Sequence, residues 1–287
     1  MSYDYSENIL VQEAAGNLLE KELDWRVVFA YNKEVLGEGG TLGRKDYKEI
    51  LLTRYIRAAL EKLNPWITPA QIDEAIGTLR QRLSTSSLLQ INEEKYFLLR
   101  DGIPVTVRRP DGRTEQKRAA VIDFQHPTEN DFLAVKEMKI HGDLYRRRTD
   151  IVGFVNGIPL LFVELKNTTV DVQNAYTDNY TDYLDTIPHL FYYNAFLILS
   201  NGVEAKVDTL GSKYEFFHEW KRLNEQGRAA SRWKPCCAAS AKRKTSSIYL
   251  KTSSSTTTPA GTQPRFWPAL ISIWASMRRS RPTRRAS

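Results

Sequence analysis

The chain has 287 residues, with 41 Lys and Arg against 34 Asp and Glu, and a net charge of +7. Glu225 is its last acidic residue, so residues 1–225 hold 28 basic and 34 acidic groups, a net of about −6, while residues 226–287 hold 13 basic groups and no acid. Bulk charge thus excludes a basic nucleic-acid-binding body. Both cysteines, Cys236 and Cys237, lie in the tail, which leaves the body without a disulfide framework or a zinc cluster. With no signal peptide and no long apolar run, a cytoplasmic protein without membrane contact is expected.

The predicted elements follow a mixed α/β order. Ser6 to about Glu22 reads as an amphipathic helix and Trp25 to Tyr31 as a strand. Asp46 to about Leu63 reads as a longer helix, with Ile50, Leu51, Ile56 and Leu60 at its apolar positions and Asn64-Pro65 as its stop. Thr68-Pro69-Ala70-Gln71 is a capping box with proline at the first helical position, opening a helix to about Leu83. Strands are expected at Ile103 to Arg108 and Lys117 to Phe124 around the turn Pro110-Asp111-Gly112, and again at Phe132 to Ile140. A hairpin over Asp150 to Leu165, a helix at about Asp171 to Asp185 and a strand at Ala195 to Leu199 complete the sheet. Residues 1–225 can bury one full core.

Asp150 and Glu164-Leu165-Lys166 carry the chemistry. Two converging carboxylates can hold a divalent cation through oxygen, and a lysine two residues beyond the second one shares its strand face. Such a lysine can polarise an attacking water or steady charge developing on a phosphate. Spacing alone is weak, since Glu-x-Lys occurs six times, at Glu93, Glu115, Glu137, Glu164, Glu204 and Glu219. Context separates Glu164: β-rich runs flank Asn156-Gly157, a strong hairpin signal. A plain two-residue loop pairs Asp150 with Val163 and turns Glu164 to the other face. A three-residue loop over 156–158, with a left-handed bulge position, pairs Val155 with Pro159 and Asp150 with Glu164, and this register is expected. The run Leu160-Leu161-Phe162-Val163 does not alternate, which implies a central strand covered on both faces. A plain salt bridge from Lys166 to Asp150 or Glu164 is the structural alternative. Arg146-Arg147-Arg148 just before Asp150, and Arg108 and Arg109, are candidate local phosphate contacts.

The segment Arg148-Thr149-Asp150-Ile-Val-Gly-Phe-Val-Asn-Gly-Ile-Pro-Leu-Leu-Phe-Val-Glu164-Leu-Lys166-Asn resembles the nuclease motif of the N-terminal region of the restriction subunit of type I restriction-modification enzymes. The likeness extends back through Leu60-Glu-Lys-Leu-Asn-Pro, through Ile122-Asp-Phe and Asn130-Asp-Phe-Leu, and forward through Asp185-Thr-Ile-Pro to Leu199-Ser-Asn-Gly, covering about residues 6–225. It implies a restriction-endonuclease-like mixed sheet flanked by helices, of the PD-(D/E)xK superfamily. Asp150 and Glu164 would be the Mg2+ ligands and, with Lys166, the catalytic set. Arg147 and Arg148 would support the site or contact DNA. The family's Gln-x-x-x-Tyr pair falls on Asn179 and Tyr183, with a shorter amide than usual, and Thr149 replaces the usual proline at a position that holds no metal. A glutamate of the first helix, Glu13, is a further candidate at the site. The resemblance also implies double-stranded DNA as substrate, with methyltransferase and specificity subunits as partners.

Family members continue into ATP-driven translocase domains, and no Gly-x-x-x-x-Gly-Lys-Ser/Thr occurs here, so ATP is expected to serve the full-length family and not to bind this chain. The tail contains Thr252-Ser-Ser-Ser-Thr-Thr-Thr and Arg278-Arg-Ser-Arg-Pro-Thr-Arg-Arg, a composition expected to be disordered. Permitted codons for Trp233 to Lys242 and for Thr245 to Thr257 also encode, in another frame, apolar and acidic runs like the family's continuation. A shifted frame is therefore expected from about residue 226, leaving a truncated domain inactive by itself. Two rivals stand beside this reading: an idle module docking on DNA or methyltransferase, and a free-standing repair nuclease of the same fold.

Overall fold

A computed structural model describes residues 3–81 and 87–219, and of residues 3–9 and 22 the backbone alone. The tail, with the disorder and shifted frame expected of it, lies outside the described residues. Helix α1 (Tyr3–Leu23) leads into strand β1 (Arg26–Phe29). Helices α2 (Thr53–Leu63), α3 (Pro69–Arg80) and α4 (Leu88–Asp101) follow, then the hairpin β2 (Ile103–Arg108) and β3 (Thr114–Ala119). Strands β4 (Phe132–His141), β5 (Arg146–Val155) and β6 (Ile158–Leu165) form the central meander. A π-helical turn (Ala175–Tyr180) runs into α5 (Thr181–Thr186), and β7 (Phe196–Ser200), β8 (Ala205–Asp208) and β9 (His218–Glu219) finish the sheet.

Seven strands lie in the order β1-β4-β5-β6-β7-β8-β9, and β2 with β3 forms a separate ribbon. Two pairs, β1 with β4 and β6 with β7, are parallel and the others antiparallel. This is the restriction-endonuclease-like mixed α/β sheet flanked by helices that the sequence leads one to expect. Every residue of β6 is buried, in agreement with its unbroken apolar run. Phe162 meets Tyr183 and Phe191 edge-on at ring-centroid separations of 5.9 and 5.2 Å. Its neighbour Leu161 lies instead on the side of Gly153, where an added Cβ would stand 2.8 Å from Trp25 and 2.9 Å from Leu161. Successive side chains of β6 thus fill opposite faces, each burial of this kind stabilising by about 2–3 kcal/mol.

Several boundaries move. The helix expected from Asp46 begins at Thr53, because the Asp46 carboxylate takes the N–H groups of Lys48 and Glu49 in a turn and the Leu52 N–H goes to the Gly157 carbonyl. Asn64 ends α2 as expected, with its amide bonded to the carbonyls of Leu60 and Ala120. The strand expected at 117–124 is Thr114–Ala119. Helix α4 is unforeseen, although Ser87 and Gln90 form a capping box at its start. Strands β8 and β9 are unforeseen as well.

Candidate active site

The β5–β6 hairpin reaches the expected register by an unexpected route. Val155 pairs with Ile158 across a two-residue turn, Asn156 at φ +51° and Gly157 at φ +83°, and not with Pro159 across three. The extra residue enters one pair later: Phe154 faces Pro159 and Gly153 faces Leu161, so Leu160 is the bulge. The reason lies in the backbone hydrogen bonds of β6. Pro159 has no N–H for a regular ladder, and the Leu160 carbonyl is drawn off to the Ala195 N–H at 2.8 Å. Beyond the bulge, Ile151 pairs with Val163, and one further step sets Asp150 across from Glu164.

Asp150 sits between two elements. Its Oδ2 accepts the Leu165 N–H at 2.7 Å, and its Oδ1 accepts the Gln12 amide of α1 at 2.7 Å. Burial pushes its carboxyl up to about 6; the Leu165 and Gln12 bonds oppose that rise, and Glu137 adds to it. Glu164 is 2% exposed. Its carboxyl is held well above the ordinary range by burial first and by Asp150 second, against Lys166 and a bond from Asn179. Glu164 Oε2 is buried without a hydrogen-bond partner.

Lys166 does not form the plain salt bridge. Its ammonium donates to Asn179 Oδ1, and among the described residues no carboxylate lies within 4.0 Å of it. The Asn179 amide in turn donates to the Tyr183 hydroxyl at 3.4 Å, and that hydroxyl donates to the Arg148 carbonyl at 3.1 Å. The shorter amide therefore still bridges Lys166 and Tyr183. The π-helical turn carries Asn179, a local widening that often marks functional sites.

The arginines separate. Arg147 makes a two-pronged pair with Asp182 of α5 at 2.6 and 2.8 Å, which ties that helix to β5 and takes Arg147 out of the phosphate-contact set. Arg148 stays at the mouth, 3.5 Å from Glu137 and 4.7 Å over the Tyr31 ring. Arg146 is exposed, Arg109 pairs with Glu115 on the separate ribbon, and neither Arg108 nor Arg109 is brought to the site. Glu13 is exposed; Gln12, one position earlier, is the α1 residue that reaches Asp150. Sequence reasoning missed two residues. Gln12 has no spacing signal. Glu137 belongs to one of the six Glu-x-Lys strings, yet it is 8% exposed, has φ +51° and raises the Asp150 carboxyl.

The donor set fits a divalent cation. A half-buried carboxylate and a fully buried one, both with raised protonation ranges and the second with an orphaned oxygen, are costly as they stand and would be relieved by positive charge. Among the described residues no three His, Cys, Asp or Glu side chains gather to cage an ion. Mg2+ in general takes one or two protein carboxylates and fills its remaining positions with water and phosphate oxygens. Among the described residues no helix is long and apolar enough to cross a membrane.

Comparison with known proteins supplies the family. The family model described as Type I restriction enzyme R protein N terminus matches residues 4–216. The chain belongs to that family. The Type I restriction enzyme HindI endonuclease subunit of Haemophilus influenzae is 31% identical over 214 residues, which is 73% of this chain and 20% of that protein. A putative type I restriction enzyme MjaIXP endonuclease subunit of Methanocaldococcus jannaschii is 25% identical over 183 residues, 62% of this chain and 17% of its own length. A Staphylococcus aureus relative, the Type I restriction enzyme SauMSSORF170P endonuclease subunit, is 30% identical over 113 residues, 39% of this chain and 12% of that protein. The chain thus spans a fifth or less of the curated relatives it matches. Asp150, Glu164, Lys166, Asn179 and Tyr183 all fall within the R-protein N-terminal match.

Proposed function

We propose that the body of this chain is the Mg2+-dependent endonuclease domain of a type I restriction subunit, hydrolysing phosphodiester bonds of double-stranded DNA. The observation that carries the reading is the buried, unpartnered Oε2 of Glu164 beside Asp150. Asp150 and Glu164 would hold the ion. When bound, Mg2+ supplies the positive charge that makes water a better nucleophile and offsets charge on the phosphate. The chain's own residues do the positioning. Gln12 and the Leu165 N–H fix the Asp150 carboxylate in one orientation, and Asn179 fixes the Lys166 ammonium at the rim, where it can steady a phosphate oxygen as its charge grows. Tyr183 ties Asn179 to the β5 backbone, so the lysine and the acids keep one geometry. Arg148, two residues before Asp150 on β5 and paired with Glu137 at the long distance of 3.5 Å, would meet phosphate.

Residues 226–287 carry the chain's excess positive charge, and residues 1–225 are acidic in sum, so in this reading the body alone holds DNA weakly and cleaves little. DNA would be delivered by the methyltransferase and specificity subunits and by ATP-driven parts of the full-length family. The test is nicking of supercoiled plasmid by the chain at low salt and high protein concentration, with Mg2+ or Mn2+. The expected result is slow metal-dependent nicking, lost in Asp150→Ala and reduced about 10²–10³-fold in Lys166→Ala. Nicking that survives both substitutions would overturn the assignment.

A further inference from the structure

Most arginines of the described body are neutralised where they stand. Arg26 pairs with Asp131, Arg44 with Glu34, Arg57 with Asp73, Arg80 with Glu49, Arg100 with Asp101 and Arg147 with Asp182. Three lysines differ, and Arg148, which Glu137 faces at 3.5 Å, lies with them. Lys33, Lys136, Lys139 and Arg148 gather on two aromatic rings beside the site. The Lys33 and Lys136 ammonium groups lie 5.5 and 5.8 Å from the centre of Phe29, and Lys139 and Arg148 lie 5.4 and 4.7 Å from that of Tyr31. Among the described residues no carboxylate comes within 4.0 Å of Lys33, Lys136 or Lys139. A ring holds a cation in place without cancelling its charge, so these lysines keep their charge for an outside anion.

The group has a built geometry. Phe29 ends β1 and is 39% exposed, Lys136 and Lys139 lie on β4, and Arg148 lies on β5, two residues from Asp150. Gly16 of α1 faces the Lys136 stem, and an added Cβ there would stand 3.2 Å from Lys136 Cδ. Lys139 is also bonded to the Asn32 side chain at 3.1 Å. Glu137 marks the inner end. Its φ of +51° interrupts the β4–β5 pairing opposite Asp150, between Lys136 with Ile151 and Met138 with Thr149. A left-handed glutamate within a strand is strained, and here it turns its carboxylate to Arg148 at 3.5 Å.

We propose that this ledge of Phe29, Tyr31, Lys33, Lys136, Lys139 and Arg148 binds the sugar–phosphate backbone of DNA running on from the bond held at Asp150 and Glu164, with Glu137 positioning Arg148 at the junction. The placement of a cutting site at its end rests on the nuclease reading above. Contacts of this kind follow charge and not base sequence, so the ledge holds any duplex alike.

The test is the salt dependence of binding to a short duplex of arbitrary sequence, without divalent ions so that nothing is cut. The full chain is compared with Lys33→Gln/Lys136→Gln/Lys139→Gln and with a control of equal charge, Lys48→Gln/Lys62→Gln/Lys213→Gln. The tail contributes equally to all three. The ledge variant is expected to lower the slope of log Kobs against log salt by about two to three, at roughly 0.9 per phosphate contact, and the control to leave it unchanged. Equal slopes in all three proteins, or the same fall in both variants, overturns the proposal. Normal binding by the ledge variant, with metal-dependent nicking lost in Asp150→Ala, removes the ledge and keeps the nuclease. Ledge-dependent binding with nicking indifferent to Asp150→Ala removes the nuclease and, with it, the ledge's place beside a cutting site.

Discussion

The Asp150 carboxylate accepts the Leu165 backbone N–H at 2.7 Å, so a side chain of β5 closes onto the backbone of β6 just beyond Glu164. One acid thereby anchors the strand end that carries the other acid and the lysine. The same burial that makes this anchor rigid raises both carboxyls, and the first prediction follows from that cost.

Stability of the metal-free protein should fall as pH rises from about 4 to about 6. Native Asp150 holds its proton to about 6, whereas the unfolded chain releases it near the ordinary value of 3.8. In that window the native state binds more protons than the unfolded one, so the slope of unfolding free energy with pH is negative. The share of Asp150 in this loss is about 3 kcal/mol and is complete above its native value, while Glu164, raised well above its ordinary range, carries the fall to higher pH. Mg2+ at ten times its dissociation constant should return roughly 1.4 kcal/mol above pH 6, and none in Asp150→Ala. Thermal denaturation with and without Mg2+ across this range checks both signs.

Asn179→Ala should lower metal-dependent cleavage by about 10–100-fold, because it releases Lys166 and cuts its link to Tyr183. Asn179→Gln, with the longer amide, should recover most of that loss. A purely packing role for Asn179 would show instead as equal loss in both variants and a lowered melting temperature.

The adjacent arginines should separate cleanly. Arg147→Ala breaks a half-buried pair with Asp182 and should cost at most about 1 kcal/mol of stability, with the salt dependence of DNA binding unchanged. Arg148→Ala should lower the salt slope by about one and, because it leaves the buried Glu137 carboxylate without its cation, also cost about 1–3 kcal/mol of stability. Denaturant titration and binding isotherms on the two variants test the assignment directly.

Gly157→Ala should destabilise by about 2 kcal/mol or more. The residue has φ +83°, and an added Cβ would stand 2.6 Å from the Leu52 carbonyl and 2.9 Å from Tyr55 Cβ. A lower denaturant midpoint at constant m is the expected outcome.

The hairpin was legible because Asn156-Gly157 specifies a tight turn and the apolar run of β6 specifies a buried centre. Parity then demanded a bulge if Asp150 and Glu164 were to meet, but the place of the bulge was not legible. It depends on Pro159 lacking an N–H and on Ala195, which is remote in sequence, drawing off the Leu160 carbonyl. The start of α2 was misjudged because the apolar pattern of Ile50 and Leu51 runs on from the helix, whereas the Asp46 turn and the Leu52 bond to Gly157 hold the segment out of it. Gln12 and Glu137 reach the site through tertiary packing alone. A motif read along the chain names the residues of one hairpin and leaves out what the neighbouring helix and strand bring to it.

The most direct measurement is anomalous diffraction from crystals of the chain soaked in Mn2+. A single strong peak bridging the carboxylates of Asp150 and Glu164, with Lys166 Nζ outside the coordination sphere, is the predicted result. No peak there, or Lys166 moved into an ion pair with Glu164 in its place, would contradict the assignment of this site as a metal-dependent nuclease centre.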